Sequence, residues 1–224
     1  MICIICKQNK AAVFKNIKQK RYWKCSYCEA IFLDKEFYLS SNDEYKHYLT
    51  HNNDVNDPRY KQFLSNLMLP LIDRIKLNSI GLDYGCGPGP ALSLMLREKG
   101  YQMFNYDPFF HSKKRNLLKK YDFICCTETV EHFHNPFGEF TRFNELLNNN
   151  GTIGIMTNFH SEQDIFENWY YIKDPTHVAF YNKKTFQIIA KIFEWDCEFL
   201  GNNLVFFKKK IKLSLELLNT NNDI

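Results

Sequence analysis

No apolar run in this chain approaches the roughly 20 residues that a helix needs to cross a bilayer, so no membrane anchor or membrane partner is expected. The opening Met1-Ile2-Cys3-Ile4-Ile5-Cys6 lacks the charged-then-apolar layout of a secretory signal. A strong excess of one charge is missing too. Lys and Arg number 29 against 25 Asp and Glu, a net charge of +4 that does not by itself require a nucleic-acid partner. The basic clusters Lys7–Lys24 and Lys208–Lys212 read as solvated surface. No internal repeat is visible, and nothing in the sequence specifies an oligomeric state. The chain is 224 residues long, enough for one sizeable domain and a small appendage. Aromatics are abundant, with 20 Phe and 13 Tyr. A reducing cytoplasmic setting is expected.

Eight cysteines would suggest disulfides in a secreted protein. Four of them follow another pattern. Cys3-x-x-Cys6 and Cys25-x-x-Cys28 are two knuckles separated by 18 residues, within the spacing of a four-cysteine zinc ribbon. Two intervening residues let both thiolates of a knuckle face one ion. Zinc is the expected metal, with a rubredoxin-like iron site as the alternative. Ala12-Val13-Phe14 and Tyr22-Trp23 read as strands of a hairpin between the knuckles. The expected role is structural, folding a segment too small to hold its own core; gripping RNA is the other reading. Cys86, Cys125, Cys126 and Cys197 lie in apolar contexts and read as small core residues.

The most informative stretch is Ile80-Gly81-Leu82-Asp83-Tyr84-Gly85-Cys86-Gly87-Pro88-Gly89. A short apolar strand reaches an acidic residue, then glycines at alternate positions, then the helical pattern Ala91–Lys99. Glycines allow a tight turn and close approach of backbone to a ligand. Asp83 at the loop entrance would repel a pyrophosphate and suits a cofactor with a cationic end. This segment resembles the cofactor loop of class I S-adenosylmethionine-dependent methyltransferases. The resemblance implies cofactor contacts from Asp83, Tyr84, Gly85, Cys86, Gly87 and Gly89, and from Thr127 at a later strand end. Gln102–Tyr106 ends at Asp107, about 20 residues past the glycines, where the family holds the ribose hydroxyls.

Tyr121–Cys126 delivers the chain to Thr127-Glu128-Thr129-Val130-Glu131-His132, at the carboxyl end of a strand where open parallel sheets place their sites. Two carboxylates and an imidazole this close repel unless a cation lies between them. Such a set suits Mg²⁺ or Mn²⁺. Together with Thr157-Asn158 and His177 it resembles ubiquinone-biosynthesis O-methyltransferases and small-RNA 2′-O-methyltransferases. In those groups the matching side chains, here Glu128, Glu131, His132 and His177, hold a divalent metal that binds acceptor hydroxyls and serves catalysis. His134, Asn158, His160, Trp169 and Asp174 are candidates to line the acceptor pocket, and His47 and His51 to cover the cofactor.

The expected fold class is α/β, a Rossmann-like methyltransferase sheet with helices on both faces and a C-terminal antiparallel hairpin, preceded by the small zinc ribbon. The expected divisions are residues 1–33 (ribbon), 34–76 (helical connector and lid), 77–210 (methyltransferase domain) and 211–224 (tail). Strands are expected at 79–83, 102–106, 122–127, 152–157, 195–200 and 203–208, and helices at 60–75, 90–99, 137–148 and 183–193. Only 13 residues, Pro108–Lys120, separate Asp107 from the next strand, too few for the usual helix, third strand and adenine contact. The resemblance implies methyl transfer from S-adenosylmethionine to an oxygen of a small molecule. The alternatives are an RNA acceptor held with help from the ribbon, and a non-catalytic module that keeps the cofactor loop.

Overall fold

The computed structural model describes residues 1–51, 53–161 and 165–211, so the expected tail lies, beyond Ile211, outside the described residues. The amino-terminal hairpin forms as expected, with β1 (Ala11–Ile17) antiparallel to β2 (Lys20–Cys25). Its two-residue turn puts Lys18 and Gln19 at φ +47° and +68°, the left-handed pair that matches the twist of the flanking strands. A third strand, β3 (Ile31–Leu33), extends this sheet. Two helices follow. Helix α1 (Ser41–Tyr48) starts at Ser40, whose hydroxyl accepts from Asp43 N at 3.2 Å. Helix α2 (Pro58–Ile72) starts at Asp57, with Pro58 in the first turn where its missing N–H costs nothing. Its buried stripe is Leu64, Leu67, Met68 and Leu71, a 3.6-residue period.

The second sheet begins with β4 (Ile80–Tyr84), followed by α3 (Ala91–Glu98), β5 (Gln102–Tyr106) and β6 (Tyr121–Thr127). Then come α4 (Pro136–Leu146), β7 (Leu147–Met156), the short β8 (Ala179–Phe180), α5 (Lys183–Phe193), β9 (Trp195–Leu200) and β10 (Leu204–Lys209). Its order is β5-β4-β6-β7-β10-β9, with the first four strands parallel and β10 antiparallel to both neighbours. That is the expected mixed α/β sheet. Between β5 and β6 the chain makes a 3-10 turn at Lys114–Leu118 and no strand, so β5 is the edge. The terminal hairpin turns at Gly201, φ +67°.

Two elements differ in their bounds: α2 runs Pro58–Ile72 rather than 60–75, and β7 starts earlier. Strand β7 starts at Leu147 rather than 152, and α4 ends correspondingly early. Its register against β6 jumps from Tyr121↔Leu147 to Phe123↔Thr152, leaving Asn148–Asn150 as an irregularity. Asn148 donates from Nδ2 to Asp122 Oδ1 at 2.9 Å, which holds the polar insertion against the neighbouring strand.

Helices cover both faces. Leu64, Leu67, Leu92 and Leu96 of α2 and α3 pack against Phe123 and Phe206 on one side. On the other side, Phe140, Phe143, Phe186 and Phe207 share a continuous cluster with Cys3, Ile5, Cys25 and Phe32 of the ribbon. Strand β8 pairs with β3, so the ribbon sheet is completed by a strand from late in the sequence. Thr185, in the capping box that starts α5, donates its hydroxyl to Cys28 O at 2.9 Å. The cysteine side of the ribbon thus shares the main core, while Tyr22, Ile31 and Leu33 pack in a separate cluster with Phe166, Tyr171, Val178 and Phe180. Among the described residues no helix is long and apolar enough to cross a membrane.

Candidate functional site

A cavity of about 710 Å³ opens at the carboxyl ends of β4, β5 and β6. Gly85, Cys86 and Gly87 form its floor, with Gly85 and Gly87 at φ +76° and +62°. A Cβ on Gly85 would lie 2.1 Å from Thr129 Cγ2, and one on Gly89 would lie 2.0 Å from Asn53 O. The loop therefore requires glycine for its own packing as well as for its backbone. Asp107 fixes it from the side. Its Oδ1 accepts from Phe109 N (2.8 Å) and Phe110 N (3.0 Å), and its Oδ2 accepts from Gly87 N at 3.0 Å. Tyr84 lines the wall, donating its hydroxyl to Glu139 and accepting from Arg142 Nη1 at 2.8 Å. Thr127 also lines the cavity. Its hydroxyl is buried with no hydrogen-bond partner among the described residues, a polar atom left for a ligand to satisfy.

Asp83 departs from its expected position. It lies beneath the loop rather than in the cavity, buried, with Ser93 Oγ donating to it at 3.3 Å. The first residue of the strand-to-helix motif points inward because β4 is covered on both faces. Burial pushes its carboxyl up to about 7. A folded-state pKa above the unfolded value gives stability that is lost as pH rises between the usual carboxyl range and about 7. Asp83→Asn is therefore expected to raise the melting midpoint more at about pH 8 than at about pH 4. Equal shifts at both pH values in thermal melts would show that this carboxyl is not destabilising when charged.

Among the described residues, three groups bring metal-ligating atoms within 4.8 Å of one another. The first is Cys3, Cys6, Cys25 and Cys28, all buried. The Sγ atoms of Cys3 and Cys28 are 3.6 Å apart and those of Cys6 and Cys25 3.7 Å. A tetrahedral ion with metal–sulfur bonds of about 2.3 Å has sulfur–sulfur edges of about 3.8 Å. The knuckles match each other. Lys7 N donates to Cys3 O and Glu29 N to Cys25 O, and Lys7 and Glu29 take φ +60° and +62°. Burial pushes the Cys6 thiol up to about 12.

The second group is Glu131, His132 and His177, on the 3-10 turn Val130–His132 and the segment before β8. Glu131 is fully buried and accepts from Thr157 Oγ1 at 3.0 Å and from the Tyr171 hydroxyl. His132 Nδ1 donates to Thr176 O at 3.2 Å and His177 Nδ1 to Tyr171 O at 2.7 Å. A carbonyl only accepts, so each Nδ1 carries a proton. Burial, then the neighbouring His177, lowers His132 to about 3, which keeps that ring neutral. Burial raises Glu131 to about 7, with the Glu128 carboxylate adding to the shift.

Glu128 stands outside this group. Its backbone takes φ +44°, a left-handed conformation unusual for Glu, held by Glu128 N donating to Met156 O at 2.8 Å. Its carboxylate lies 3.2 Å from Tyr171 Oη, lines the cavity, and is raised by burial to about 7. Tyr171 bridges both glutamates and Thr157, a role absent from the sequence expectations. The run Trp169-Tyr170-Tyr171 just before His177 was the signal for it. Of the candidate pocket residues, His134 and Asp174 line the cavity. Asn158, His160 and Trp169 do not, and Trp169 instead packs on Tyr171 and Phe180.

Helix α1 covers this end. Glu44, Tyr48 and His51 line the cavity, and with His47 they follow an i, i+3, i+4, i+7 spacing.

A doubly covered mixed sheet, a glycine cradle after its first parallel strand and an acidic residue ending the next define an α/β methyltransferase architecture. Residues 56–197 match the model of a family described as a methyltransferase domain, well over half the chain, and the chain belongs to that family. No curated protein matches the sequence. Several solved structures share the fold. A Pyrococcus horikoshii OT3 protein superposes with a TM-score of 0.53 at 17% identity, over 74% of this chain and 99% of its own. Magnesium protoporphyrin IX methyltransferase from Synechocystis PCC 6803, with bound SAH, gives 0.53 at 12% identity over 79% and 98%. Burkholderia thailandensis 1,6-didemethyltoxoflavin-N1-methyltransferase gives 0.50 at 13% identity over 90% and 100%.

Proposed function

We propose that this methyltransferase moves a methyl group from S-adenosylmethionine to an oxygen of a small-molecule hydroxyl, assisted by Mg²⁺ or Mn²⁺ at Glu131, His132 and His177. The observation that carries the oxygen chemistry is the paired orientation: two imidazoles whose Nδ1 atoms donate to backbone carbonyls converge with a buried carboxylate. Such a convergence of ligand atoms suits a divalent cation.

The glycine cradle, the Asp107 carboxylate and the unpaired Thr127 hydroxyl suit S-adenosylmethionine, which supplies an electrophilic methyl on a sulfonium. A divalent ion at the second group would supply Lewis acidity that lowers the pKa of an acceptor hydroxyl. The chain itself must align the acceptor oxygen, exclude water and take its proton. Glu128, facing the cavity with its pKa near 7, is suited to take that proton. Helix α1 over the acceptor end favours a small acceptor over an RNA strand. Cys3, Cys6, Cys25 and Cys28 are assigned a structural zinc.

The test is a tritiated-methyl assay against cell extract separated into small molecules and RNA. Label is expected among small molecules, and label confined to RNA would overturn that half of the reading. With an acceptor in hand, EDTA should abolish turnover and Mg²⁺ or Mn²⁺, but not Zn²⁺, restore it. Glu131→Gln should lower kcat by about 100-fold, close to 3 kcal/mol of barrier, with S-adenosylmethionine affinity within about threefold of wild type. Full activity in metal-free buffer with the ribbon ion retained would reduce the cluster to a structural cap.

A further inference from the structure

The third group of converging side chains is His47, His51 and Asp174, and the methyl-transfer reading does not use it. His47 and His51 are one helical turn apart, His47 inside α1 and His51 just past its end. Asp174 comes from the far side of the cavity, at the end of the 3-10 turn Tyr170–Lys173.

The Asp174 carboxylate is aimed by its own neighbours. Oδ1 is occupied by Thr176 N at 2.8 Å and Thr176 Oγ1 at 2.5 Å. Oδ2 is thereby turned towards three imidazoles, with His47 Nε2 at 3.1 Å, His51 Nε2 at 4.0 Å and His177 Nε2 at 4.0 Å. One ligand atom each from His47, His51 and Asp174 lies within 4.8 Å of the other two, close enough for all three to share a single ion.

The only buried residue of helix α1 is Glu44, while Tyr45 is 39% exposed and Leu49, just beyond, 57%. The helix sits over the cavity through ring contacts of Tyr45 with Phe109 and Phe110 and of Tyr48 with Phe109 and His132, and through Glu44 Oε1, 3.0 Å from His134 Nε2. An ion shared between α1 and Asp174 would fasten it.

We propose that His47, His51 and Asp174 form a second divalent-metal site that clamps α1 over the acceptor end of the cavity. Two imidazoles and one carboxylate with open positions suit a divalent transition-metal ion such as Mn²⁺ or Fe²⁺. The site stands whether or not Glu131, His132 and His177 bind an ion of their own.

Cobalt(II) is the probe. The full chain, with its ribbon ion left in place, is titrated with Co²⁺ by calorimetry and visible absorption. His47→Gln/His51→Gln should remove one equivalent of bound Co²⁺, and Glu131→Gln should leave that equivalent in place. Both histidines are partly exposed, with side-chain exposures of 28% and 41%, so the double variant should fold. Proteolysis gives the second reading. Co²⁺ should slow cleavage between α1 and α2 at least tenfold in wild type and leave the double variant unchanged. Loss of Co²⁺ only in Glu131→Gln would support the acceptor-site ion and overturn the clamp. Equal Co²⁺ binding by wild type and the double variant, or no binding beyond the ribbon, would make His47–Asp174 a simple hydrogen-bonded pair.

Discussion

A Cys25→Ser protein should lose its bound ion and melt as one transition on the order of 10 °C below wild type, rather than merely loosening its first thirty residues. The magnitude follows from losing several kcal/mol of metal-linked folding energy, with each kcal/mol worth roughly 2–4 °C in a chain of this size. The single transition follows from packing. Cys25 belongs to the cluster that includes Phe140, Tyr181 and Phe207, and β3 is paired with β8. Metal analysis should give one zinc fewer per chain in the variant than in wild type. A melt in two steps, with the second at the wild-type temperature, would show that the ribbon folds and unfolds alone.

Gly87→Val and Asp107→Ala should each weaken S-adenosylmethionine binding about 100-fold, close to 3 kcal/mol. Gly87 holds φ +62°, which strains a β-branched residue, and a Cβ there would lie 2.8 Å from Asn53 Nδ2. Asp107→Ala removes the acceptor for three backbone N–H groups, those of Gly87, Phe109 and Phe110. A partly buried N–H left unpaired costs about 1–3 kcal/mol, and the carboxylate offered to the ribose is lost as well. Calorimetric titration with S-adenosylmethionine decides it. Wild-type affinity in both variants would remove this loop from the cofactor site.

Local pattern carried the sheet into view. Apolar runs reaching Asp83 and Thr127 each form a parallel strand, because a strand buried on both faces must read as a continuous apolar segment, while the mixed Gln102–Tyr106 run before Asp107 forms the half-buried edge strand. The spacing from Asp107 to Tyr121 left no room for another strand, and none formed there. The start of β7 was hidden because Asn148-Asn149-Asn150 is polar and its pairing with β6 is irregular.

The sequence by itself determined the chemistry available: four cysteines at knuckle spacing, glycines where a loop must turn left-handed, and carboxylates and histidines at a strand end. These depend on neighbours within a few residues, where bond geometry alone limits the outcome. Tertiary structure decided how they combine. It turned Asp83 inward and set Glu128 apart from Glu131. It brought Tyr171 between those two glutamates, joined the ribbon to β8 more than 140 residues away, and laid the His47 and His51 stripe against Asp174. Such pairings depend on which faces remain to be buried once the sheet has formed, and no local period encodes that.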